Sequence, residues 1–91
     1  MINSPELEYW ASLGNTDKVR ELIGSGCDVN ERGDNGYTAL HAAVLNRQVD
    51  VVRLLLERGA DIHAKLDSGQ TPEDFAVIVK DPQILVLLRS H

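Results

Sequence analysis

Between Asp50 and Arg58 the apolar residues Val51, Val52, Leu54, Leu55 and Leu56 recur at helical spacing against Asp50, Arg53, Glu57 and Arg58. That pattern predicts an amphipathic helix over 50–58. Gly59 is placed to end it, because glycine enters the left-handed conformation with no Cβ penalty. The frame recurs at one constant spacing: Val19, Leu22, Gly26 and Asp28 precede Val52, Leu55, Gly59 and Asp61 by the same step by which Gly69 and Thr71 follow Gly36 and Thr38. A fixed step of about 33 residues is the mark of a repeat architecture. The units lie at about 1–32, 33–65 and 66–91.

Each unit reads as a turn, a short helix, a tight link and a second helix. Ser4-Pro5-Glu6 opens the first helix, with serine as cap, proline at the first position and an acid at the positive end of the dipole; the helix is expected to reach about Leu13. Gly14-Asn15 breaks it, and a second helix is expected over 17–23, with Val19, Leu22 and Ile23 on one face. Gly33-Asp34-Asn35-Gly36 predicts a hairpin-like turn. Thr38 then caps a helix whose Ala42 and Ala43 allow close approach of a neighbour, and Asn46-Arg47-Gln48 reverses the chain. A second turn at Asp67-Ser68-Gly69 leads into Thr71-Pro72-Glu73-Asp74, which predicts a helix from Pro72 to about Val79. Asp81-Pro82 starts the last helix, over 83–90. The positions of Val51 and Leu54 carry Lys18 and Glu21 in the first unit, and that of Leu56 carries Arg89 in the last. Polar residues there suit end units, which have a neighbour on one side only.

These residues carry a resemblance. Gly36-Tyr37-Thr38-Ala39-Leu40-His41, Val51 to Leu56 and Gly59-Ala60-Asp61, at this period, resemble the repeat of the ankyrin family. Ala39, Arg47 and Glu73 depart from it, standing where the family favours proline, glycine and leucine, and Pro5 lies one place further from Ala39 than the period sets. The resemblance implies an all-α solenoid of stacked helix-turn-helix units joined by hairpin-like turns. It also implies that His41 is structural, tying its helix start to the adjacent turn, and that partners dock on the concave surface of turn tips and first helices.

Composition narrows the function. At 43% apolar and 25% charged the 91-residue chain is that of one folded domain. Its net charge of −5, with no basic stripe, lacks the footprint that nucleic acid or an anionic membrane requires. No window approaches the ~18 apolar residues of a membrane span, and no targeting segment is visible, so a cytoplasmic protein is expected. Cys27, the single cysteine, has no partner in the chain.

Little here points to catalysis. His41, His63 and His91 with one cysteine match no metal-ligand spacing. His63 stands at the place of Asn30, in a loop. Cys27 aligns with Ala60 and is expected to be a small buried filler. Glu73-Asp74 suit the first turn of a helix rather than an acid–base pair. No glycine-rich phosphate loop follows a strand, and neither a cofactor nor a metal is expected. An enzyme would need a pocket holding His41 or His63 beside an acid.

What remains is a docking surface. The positions matching it are Arg32, Asp34, Asn35, Tyr37, Leu45, Asn46, Lys65, Asp67, Ser68 and Gln70, with Leu13, Leu45, Ile78 and Val79 forming an apolar strip beside a mixed-charge edge. Tyr37 is the expected anchor, since interface hot spots favour tyrosine, and as a turn-tip residue it is expected to touch little of the core. Tyr9 and Trp10 align with Ala42 and Ala43; they are expected to cover the open end of the stack, in a monomer, the alternative being a homodimer through that end. The expected function is non-catalytic binding of a protein partner, either as an adaptor module of a longer protein or as a small free-standing inhibitor.

Overall fold

Thr38 shows how local chemistry starts a helix here: its side-chain oxygen accepts the backbone N–H of His41 at 3.2 Å, and α3 (Ala39–Leu45) runs from that cap. The structure, a computed structural model, describes residues 6–91, so the Ser4-Pro5 start lies outside the described residues. α1 (Glu6–Leu13) and α2 (Thr16–Gly24) precede α3; α4 (Val49–Glu57), α5 (Pro72–Val79) and α6 (Pro82–Arg89) follow it. α2 begins on Asn15, which accepts the Lys18 N–H, and α6 on Asp81, which accepts that of Ile84. Thr71 and Asp74 form a reciprocal capping box at α5, each side chain accepting the other's backbone N–H. α4 starts one residue before Asp50, on Gln48, whose side chain makes no cap bond; its amide instead donates to the Ser12 carbonyl at 3.1 Å, joining α4's start to the end of α1.

The helices form two layers. α1, α3 and α5 pack side by side in one, α2, α4 and α6 in the other, and each odd helix also packs on the even helix that follows it. Between the layers lie Leu7, Val19, Leu40, Val44, Val52, Leu55, Ile84 and Leu88, all buried. The chain belongs to the all-α repeat class, and among the described residues there is no strand.

Conformation repeats with sequence. Positive φ recurs once per unit at Gly14 (78°), Arg47 (56°) and Lys80 (56°), the reversal between the two helices. Arg47 and Lys80 therefore hold a left-handed backbone that glycine adopts freely. The left-handed penalty of a side chain exceeds the chain-entropy cost of glycine, so Arg47→Gly is expected to raise stability by about 0.5–1 kcal/mol, read as a higher urea midpoint at unchanged slope.

Burial shows how the ends differ from the middle. One position is Ala11 in α1 and Val44 in α3, both 0% exposed, but Val77 in α5, 54% exposed. Among the described residues α3 has α1 on one side and α5 on the other, whereas α5 has only α3 beside it in its layer. At the other end Lys18 and Glu21 pair at 3.7 Å on the surface, while Arg89 pairs with Glu73 at 3.1 Å. Trp10 packs against the core with the Lys18 ammonium 5.8 Å from its ring centre, but Tyr9 is 59% exposed, so of the two aromatics expected to cover that end only Trp10 does so. Cys27, expected to be buried, is half-buried, as is Ala60 at the equivalent position. Loops are tied across units too: Asn30 accepts the Asp61 N–H at 2.7 Å and donates to the Gly59 carbonyl at 3.3 Å. His63, its counterpart in the next loop, is exposed.

Candidate partner-binding surface

The two turn tips are built from the same bonds. Gly33 N–H donates to the Tyr37 carbonyl at 2.7 Å in the first, Leu66 N–H to the Gln70 carbonyl at 2.9 Å in the second, and Asp67 N–H donates to the Asn35 carbonyl at 2.8 Å between them. Asn35 (φ 60°) and Gly36 (φ 82°) supply the left-handed residues that turn the first tip. Arg32, expected to offer its charge to a partner, acts differently: its guanidinium donates to the Gly36 carbonyl at 3.1 Å and to the Lys65 carbonyl at 2.7 Å, fastening one tip to the next.

His41 does the same from the helix side. Its Nε2 lies 3.1 Å from the Gln70 carbonyl and its Nδ1 2.8 Å from the Thr38 hydroxyl. A carbonyl can only accept, so Nε2 carries the proton, and the Thr38 hydroxyl donates to Nδ1. The ring is fully buried. Burial depresses its pKa below 6.5, as does the nearby Arg32 charge, while the Gln70 carbonyl partly opposes the shift. The imidazole is thus held neutral, with both nitrogens bonded.

Against these tips lies a groove of about 390 Å³. Glu6, Glu8, Tyr9 and Ser12 of α1 line one side, Ala42 of α3 and Asn46 just after it the other, and Tyr37 completes the lining. Tyr37 is less of a free tip residue than its position suggests. It is half-buried against the core, its ring 5.7 Å from that of His41 and 6.0 Å from that of Phe75. Removing it therefore disturbs packing as well as surface. Glu8 is half-buried as well: burial raises its pKa above 4.5, with the Asp34 charge adding to the rise. Burial, then the Glu8 charge, raises that of the Tyr37 phenol.

The structure therefore brings together Tyr37 and Asn46 in the groove, with the Asp34 charge beside it. Arg32, Asn35, Lys65, Asp67, Ser68 and Gln70 belong to the paired tips, where the Ser68 hydroxyl donates to the Gln70 side chain. Leu45 (43%) and Ile78 (63%) are exposed at equivalent positions; at the next position Leu13 (56%) is exposed and Val79 half-buried. Missing from the sequence reading of the site are Glu6 and Glu8. A signal for Glu8 existed: it stands one period before His41, and Tyr37 one period before Gln70, and the Glu8 charge acts on the Tyr37 phenol.

The family description "Ankyrin repeats (3 copies)" matches residues 7–91. The chain belongs to the ankyrin-repeat family. Ankyrin repeats are protein–protein interaction modules and are generally non-catalytic. A 42-residue stretch is also 43% identical to part of a protein named L-asparaginase from Dirofilaria immitis, covering 46% of this chain but 7% of that much longer protein. Among the described residues of the ankyrin chain no three His, Cys, Asp or Glu side chains gather where they could hold a metal ion, and no helix is long and apolar enough to cross a membrane.

Proposed function

We propose that the ankyrin chain binds a protein partner on the surface made by its turn tips and first helices. The observation that carries this reading is the groove between α1 and α3, lined in part by Tyr37 and Asn46, with Leu45 exposed next to Asn46 in the chain. A tip surface fastened by Arg32 and His41 is rigid, which lowers the entropy lost on docking. An acidic chain with a carboxylate in this groove suits a protein partner better than nucleic acid. The role is non-catalytic on this reading: His41 is enclosed by Thr38 and Gln70 and reaches no solvent. Both interaction roles, adaptor module and free-standing inhibitor, would use this surface.

The test uses a partner captured on the wild-type chain from the source cell and identified. Leu45→Asp, at an exposed position, is expected to leave folding nearly intact and to weaken that partner by about 2 kcal/mol or more, as loss of an interface hot spot does. Arg53→Ala and Arg58→Ala, on α4 and just after it, serve as controls and should change affinity by less than about 0.5 kcal/mol. Calorimetric titration separates the cases. A loss confined to the Arg53 and Arg58 variants would move the site to the second-helix layer.

A further inference from the structure

The repeat places an acceptor where the fold uses a donor. In the middle unit the His41 Nε2–H fills the second lone pair of the Gln70 carbonyl, which already accepts Leu66 N–H. One unit earlier the Tyr37 carbonyl accepts Gly33 N–H in the same way, but the residue in the histidine's place is Glu8. A carboxylate has no proton to give. Glu8 Oε2 is shielded from solvent and has no hydrogen-bond partner among the described residues, the one such side-chain atom found there. None of the four ion pairs among these residues involves Glu8 or Asp34, and the guanidinium of Arg32, a cation of the tip, is engaged with two carbonyls. An unpaired buried acceptor of this kind is costly to leave unmatched.

We propose that the groove is the seat of an arginine side chain of the partner, whose guanidinium pairs with the Glu8 carboxylate. The inference rests on the docking surface proposed above and names its chemistry. Charge complementarity selects a cation: the groove holds Glu8 with the Asp34 charge beside it and Glu6 in the same wall. Shape and lining select arginine. A guanidinium is planar, offers several N–H groups in a fixed fork to a carboxylate, and stacks on aromatic faces, here those of Tyr9 and Tyr37. The half-buried setting of Glu8 makes such a pair stronger than one on open surface.

The test is a chemical-shift titration of the intact chain with N-acetylarginine amide and, in parallel, N-acetylcitrulline amide, which has the same shape without the charge. Saturable shifts at Glu8, Tyr9, Tyr37 and Asn46 are expected with the arginine compound, at an affinity at least about tenfold above citrulline, the scale of a charge-assisted bidentate contact. Glu8→Gln should abolish that preference. Glu8→His, which restores the repeat's own donor, should abolish it too while raising the thermal midpoint. Equal response to both compounds, shifts scattered away from the groove, or an unchanged preference in Glu8→Gln would each overturn the proposal. Failure here with the Leu45→Asp effect on the identified partner intact would leave the docking surface standing and remove only the arginine.

Discussion

Leu55→Ala is expected to lower stability by about 2–5 kcal/mol, the range for a buried leucine whose site cannot collapse. Leu55 is 0% exposed in α4, the middle helix of its layer, with a neighbour on either side and α3 beneath. The same substitution at Leu22, its counterpart in α2, is expected to cost less than half as much, because that side chain is half-buried at the end of the stack. Urea unfolding followed by circular dichroism gives both values. Each variant should unfold in a single transition, since no helix pair buries its apolar face without a neighbour. Equal costs at Leu55 and Leu22 would mean that the middle unit is no better enclosed than the first, and the layer arrangement would be wrong.

The elements that could be read from the sequence are those with local causes. The span of α5 follows from Thr71, Pro72 and Asp74, because cap, fixed φ and returning carboxylate all act within one helical turn. α4 begins one residue earlier than its charge pattern suggests, and Gln48, the residue at its cap, uses its side chain on Ser12 of another unit. The family's departures were visible as letters, but their consequence was not. Arg47 takes up the left-handed backbone that glycine would have held, so the fold kept the conformation and lost the residue suited to it.

The site was less legible because its residues act between units. Arg32 looks like a free surface charge until the Lys65 carbonyl is found at its tip, and Tyr37 looks like a turn residue until Phe75 and His41 are found against its ring. Glu8 is the sharpest case. Within its own helix it is an ordinary first-turn acid, favourable to the dipole. Carried one period forward it is a histidine site facing a carbonyl, and only that comparison shows why it is shielded and unmatched. Of the residues expected in an apolar strip, Leu13, Leu45 and Ile78 are exposed, whereas Val79 is half-buried.

His41→Ala is expected to cost about 2–4 kcal/mol, combining a cavity with two stranded polar groups, the Thr38 hydroxyl and the second lone pair of the Gln70 carbonyl. The imidazole also leaves a signature in pH. Its folded pKa lies below the unfolded value of 6.5, so between the two the unfolded chain binds more protons than the folded one. Stability contributed by the neutral ring is complete above pH 6.5 and is lost as pH falls through that window toward the folded pKa. Glu8 acts with the opposite sign: its folded pKa is raised above 4.5, so it favours the folded state at the acid end and loses that contribution as pH rises through its own window. The two are separated by measuring urea midpoints from pH 4 to 8 in a Glu8→Gln background, with and without His41→Ala. The difference between the curves should be largest above pH 6.5 and shrink toward acid. A constant difference would mean that His41 is as easily protonated in the fold as out of it, and that its ring does not hold the second tip through a neutral Nε2–H.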